Sequence, residues 1–191
     1  MELLVIGLAA FLGAHSLAMF PGAKAFLAGR LGAGPYKGLY SLISLVGFGL
    51  IIWGFGAYRD HGMIHVWSPP PWGRALAIPL MWAAFVSLAC SLPLKGRLRG
   101  WLRHPLLTGA TIWALAHLLA NGDAGGMALF GAFLIWALAD RLSLARRGDV
   151  GAPAATQFAL ADALAVVVGT AAFMAMLMAH RWLIGVSVLA A

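Results

Sequence analysis

HPLLTGATIWALAHLLANGDAGGMALFGAFLIWALADR, residues 104–141, decides the fold class. Its two apolar runs, Pro105–Ala120 and Gly125–Ala139, contain no Asp, Glu, Lys or Arg, and only a short polar break at Asn121-Gly122-Asp123 parts them. Runs that are apolar on every face offer nothing to water, so they belong in a core or in lipid. One residue resists that reading. His117 is a titratable ring among neighbours that are all apolar from Trp113 to Ala120. Such a ring at membrane depth costs free energy unless something partners it.

The same pattern extends outward along the chain. Leu3–Phe20, Gly38–Tyr58, Ala75–Leu92 and Phe158–Ala179 are further apolar runs, and across all six the only Asp, Glu, Lys or Arg is Asp162. Each run is at or near the length of about 20 residues that a helix needs to cross a bilayer. The whole chain of 191 residues is 62% hydrophobic and 10% charged, whereas soluble domains carry about 25% charged residues. Its mean hydropathy is +0.90. The expected fold is an all-α polytopic membrane helix bundle of about six transmembrane helices, forming a single integral membrane domain over residues 1–191. No long repeat or interdomain linker interrupts it. Arg146–Thr156 reads as the one flexible loop, and the tail after Arg181 is apolar enough to extend the last helix or lie at the interface.

A net charge of +7 raises the question of nucleic acid. The cations fall in short loops between apolar runs, which points to anionic lipid headgroups instead. Ten of the thirteen lie in loops one, three and five: Lys24, Arg30, Lys37; Lys95, Arg97, Arg99, Arg103; Arg141, Arg146, Arg147. The positive-inside rule then places those loops in the cytoplasm and both termini outside. The bilayer is the expected partner, the bacterial inner membrane the expected location. Glu2 is the only early charge and Lys24 the first cation, so residues 3–20 read as a retained helix rather than a signal peptide. A single cysteine, Cys90, excludes an internal disulfide.

Of the six histidines, His15 and His117 sit inside apolar runs. Each reads either as an interhelical hydrogen-bonding residue or as a ligand to a metal or haem iron. Small residues flank both: Gly7, Ala14 and Ala18 around His15, and Gly109, Ala110 and Ala114 around His117. They permit close helix contact or a flat macrocycle against the backbone. Phe11 and Trp113, each four residues before a histidine, would line a cofactor's edge or simply fill the core. Helix position offsets the two imidazoles by roughly 13 Å along the membrane normal. His61 and His65 have i, i+4 spacing in an outer loop, where a zinc site would need further ligands; His104 precedes Pro105 at a helix start. His180, beside Arg181, is an interfacial residue or an alternative ligand, as is His104. Asp162 near a helix start reads as a cap or ion-pair partner, with a proton or substrate contact as the alternative. No Walker loop, nucleophile elbow, C-x-x-C pair or catalytic carboxylate pair is present, and no catalytic residue emerges.

Four stretches, F-L-G-A-H-S-L-A (11–18), H-P-L-L-T-G (104–109), W-A-L-A-H-L-L-A-N-G-D (113–123) and L-F-G-A-F-L-I-W-A-L-A-D-R (129–141), resemble the NnrU family of bacterial membrane proteins. The resemblance runs to about residue 147, with a C-terminal helix at 158–190 beyond it. The family takes its name from nitrite and nitric oxide reduction clusters, and includes the zeta-carotene isomerase of plants and cyanobacteria, a haem b enzyme. That resemblance implies haem b ligated by His15, in an H-S motif, and by His117, in a W-x-L-A-H motif. It further implies redox-dependent haem-iron chemistry on a lipophilic polyene, or a nitric-oxide-linked role in denitrification, with an unspecified redox partner. A sensor or electron-transfer module without turnover is the alternative. The isomerase has a cysteine three residues before its second histidine, where this chain has Ala114. Arg103-His104-Pro105 also resembles the R-H-P-x-Y element of membrane methyltransferases, with Leu106 at the tyrosine position.

Overall fold

The computed structural model describes residues 1–191 except 94, 154, 156, 187 and 189–191. Eight helices follow in order: α1 (Glu2–Ser16, extended by a 3₁₀ turn, Leu17–Met19), α2 (Pro21–Leu31), α3 (Ala33–Asp60), α4 (Pro71–Ala89), α5 (Arg97–Leu102), α6 (Pro105–Ala120), α7 (Ala124–Arg146) and α8 (Leu160–Ile184). The protein is a multi-pass all-α membrane bundle. Five helices, α1, α3, α4, α7 and α8, are long and apolar enough to span a bilayer. The sixth expected span, α6, has 16 residues and reaches about 24 Å, short of a hydrocarbon core of about 30 Å.

The helices pack in the order α3, α1, α7, α6, α4, α8, each chiefly on the next. In lipid there is little hydrophobic gain from helix association, so close van der Waals contact between small residues must supply it. The α1–α3 pair shows this most clearly. A Cβ at Gly47 would lie 2.7 Å from the Phe11 backbone nitrogen, and one at Gly54 2.3 Å from that of Leu4. Above the crossing, Leu4, Leu8, Leu12, Ile51, Ala114, Leu129 and Phe130 form one buried apolar cluster.

The ends of the helices are tied off separately. At one end, Ser143 of α7 and Arg147 just beyond it donate to the Met19 and Ala18 carbonyls after α1. Asp162 accepts hydrogen bonds from the Arg97, Leu98 and Ala159 amides at 2.8–3.0 Å, capping α5 and its own helix together. The capping role expected for it is the one it has. At the opposite end the Gly122 carbonyl accepts from Val66 and Trp67, and Arg59 donates to the Ile184 carbonyl.

Several boundaries differ from expectation. The loops at 21–31 and 97–102 are short helices, whose charged residues Lys24, Arg30, Arg97 and Arg99 hid them from a search for apolar runs. Helix α7 continues past Asp140-Arg141 to Arg146, and α8 takes in the start of the apolar tail to Ile184. The stretch after Arg146 is not a free loop in its described part: the Ala152 amide donates to the Arg103 carbonyl at 2.8 Å.

Candidate functional site: two anchored histidines on an aromatic ladder

His15 lies in the last turn of α1 and His117 in the last turn of α6. Each ring is held by the same device. His15 Nδ1 is 2.7 Å from the Phe11 carbonyl, and His117 Nδ1 is 2.9 Å from the Trp113 carbonyl. A carbonyl only accepts, so in both residues Nδ1 carries the proton and donates. Nε2 is then the nitrogen that keeps its lone pair in the neutral ring. That tautomer, fixed by a backbone carbonyl, is the form in which histidine binds metals.

Aromatic rings join the two positions. His15 stacks on Phe11 (ring centres 4.1 Å apart, 28° between planes), and Phe11 lies 5.8 Å from Phe133 of α7. Phe133 meets Trp113 at 5.3 Å, and Trp113 meets His117 at 5.2 Å. Phe130 completes the far end, stacked on His117 at 4.3 Å and 22°. The expected lining residues Phe11 and Trp113 are therefore brought onto their histidines, while Ala114 is fully buried in the apolar cluster shared with Leu8 and Leu12.

The two imidazoles occupy different levels. His15 faces Trp136 of α7 and His117 faces Phe130, six residues and about 9 Å apart along that helix. This agrees with the staggered depths read from the sequence, and the packing places Phe133 between the rings. One metal held by both would require their nitrogens about 4 Å apart. No group of three or more His, Cys, Asp or Glu side chains among the described residues is placed to hold a metal ion.

Two aromatic residues beside His15, Trp136 and Tyr40, escaped the sequence reading. The Trp136 indole stands edge-on to His15 (6.0 Å, 88°), and its N–H is buried without a hydrogen-bond partner. Tyr40 of α3, beside Ser44, also approaches, its ring 5.4 Å from His15. A repeat could have flagged the tryptophan, since W-A-L-A occurs at 113–116 before His117 and again at 136–139 before Asp140. Buried polar groups are ordinarily satisfied, so the orphan indole N–H beside His15 marks a place for a polar ligand atom.

The profile of the family described as NnrU protein matches residues 3–188. The chain belongs to the NnrU family. No curated protein and no solved structure matches it. The NnrU match reaches beyond residue 147, where the motif-bearing region ends, and takes in α8 as part of the family fold.

The remaining histidines of this NnrU protein are engaged elsewhere. His61 Nδ1 donates to the Ala57 carbonyl, and His65 pairs with Ser68 at 3.3 Å. His104 faces Asp149 across 3.9 Å, and His180 Nδ1 donates to the Val186 carbonyl.

Proposed function

We propose that this NnrU protein binds haem b in the membrane through His15 and His117, which requires α1 and α6 to shift so that imidazoles about 9 Å apart in level reach one iron. The observation that carries the reading is the shared anchoring: two membrane-embedded imidazoles, each with Nδ1–H bound to the carbonyl four residues earlier and Nε2 free. The donor chemistry of both residues fits haem iron, as does the orphan Trp136 N–H beside His15. Bound haem would supply a redox-active iron able to accept nitric oxide or to polarise a lipophilic polyene. The chain's part is to hold the two ring tautomers, exclude water with Phe11, Trp113, Phe130 and Phe133, and offer the indole N–H to a polar atom near His15.

A haem module that handles nitric oxide or electrons without converting an organic substrate is favoured by one specific arrangement. Ala114 stands one turn before His117, and the single cysteine of the chain, Cys90, is buried in a separate cluster with Ala89 and Ala165. No thiol neighbours His117 to compete for iron, as it would in the isomerase branch. The loops carrying most cations face the cytoplasm of a bacterial inner membrane in this reading.

An absorption spectrum of the detergent-purified protein tests the proposal. Haem binding gives a strong Soret band that shifts on dithionite reduction and responds to nitric oxide. A colourless protein that takes up no added haem, and binds S-adenosylmethionine instead, would overturn it in favour of the methyltransferase reading. Turnover of zeta-carotene isomers under reducing conditions would establish enzymatic activity.

A further inference from the structure

At the basic end of the bundle, far from the aromatic ladder, α5 and α6 meet at a tight corner. Arg103 sits there at φ 60° and ψ −58°, and the His104 amide donates to the Leu102 carbonyl at 2.7 Å. This is the positive-φ γ-turn, a rare and strained form for a residue with a side chain. The turn is braced from outside. The Ala152 amide binds the Arg103 carbonyl, and a Cβ at Gly151 would lie 2.4 Å from that oxygen, so the 148–152 loop seats only because residue 151 is glycine.

Corner and loop together border an open surface cleft of about 480 Å³. Its charged lining is Arg99, Arg103, His104 and Asp149. The single carboxylate is already engaged, accepting from the Gly151 amide at 2.8 Å and facing His104. The Arg103 guanidinium makes no hydrogen bond among the described residues. The first turn of α6 adds Leu106 and Leu107, amides that no side chain caps. Leu106 is also 57% exposed, so apolar surface leads from the cleft toward the bilayer.

We infer that this cleft is a binding site for a phosphate group, held chiefly by Arg99 and Arg103, whether carried by a lipid headgroup or free in solution. Arg103, whose guanidinium is free of hydrogen bonds among the described residues, and Arg99, which also donates to the Leu92 carbonyl, line the cleft beside a helix start, and the forked guanidinium matches the planar oxygen geometry of phosphate. The site is independent of haem.

The test uses full-length protein purified in a maltoside detergent, with short-chain phosphatidylglycerol and inorganic phosphate as separate probes. Native mass spectrometry counts bound lipid, and calorimetry follows phosphate. One saturable site is expected, weakened about tenfold or more by R99Q/R103Q. R103K keeps the charge but loses the fork, so it should bind more weakly than wild type and more tightly than R99Q/R103Q. The control K24Q/K37Q removes as much charge from the same end of the bundle and should change binding less than about twofold. Lipid binding that phosphate fails to displace identifies a headgroup site, and phosphate binding alone identifies a soluble ligand. Equal losses in the control and cleft variants would overturn the proposal, as would absence of saturable binding of either probe to the wild-type protein.

Discussion

The indole of Trp136 meets the imidazole of His15 edge to face, ring centres 6.0 Å apart at 88°, with the indole N–H buried and unpaired. An orphan donor of this kind costs about 1–3 kcal/mol when nothing accepts from it. Trp136→Phe keeps an aromatic ring and removes the donor. Without cofactor, the variant is expected to be at least as stable as wild type by thermal unfolding. With haem, it should hold the cofactor less tightly, read as faster loss to apomyoglobin. Unchanged haem transfer would show that the N–H has no part in binding.

The α1–α3 crossing positions His15, because Gly47 touches the backbone of Phe11, whose carbonyl anchors the ring. Gly47→Ala puts a methyl 2.7 Å from the Phe11 nitrogen. Overpacking against backbone costs about 1–3 kcal/mol. A lower unfolding temperature is expected, together with disturbed haem ligation, whereas Gly49→Ala on the same helix, with open space around it, should be silent. Equal effects would contradict the close-approach reading.

Asp162 satisfies three amides from two elements. Its replacement by alanine strands them in a buried setting, at a cost of about 2 kcal/mol or more. Faster proteolysis around residues 95–102 is the expected signature. Unaltered cleavage would mean that α5 holds itself in place.

Much of this architecture is legible in the sequence, and the reason is physical. Lipid demands uniformly apolar helices, so the six runs and the two histidines embedded in them stand out from composition alone. What is hidden depends on packing. Helices α2 and α5 carry Lys24, Arg30, Arg97 and Arg99, and lie where water satisfies charge, so hydropathy passes over them. Asp140-Arg141 looked like the end of a helix, yet α7 runs on for another turn because Ser143 and Arg147 are tied to the end of α1. Trp136 reads as one more membrane aromatic until α7 is laid beside α1. The γ-turn at Arg103 has no local signal, since it is imposed by the loop that docks on it. His15 and His117 were visible as a pair, but that Phe133 lies between them was not.

The most direct measurement is the haem content and absorption spectrum of His15→Ala and His117→Ala, each purified beside the wild-type protein. Ligation by both residues predicts that each variant loses haem or shows a spectrum with one imidazole replaced, while His104→Ala and His180→Ala keep the wild-type spectrum. Full haem with an unchanged bis-imidazole spectrum in both His15→Ala and His117→Ala would contradict the assignment.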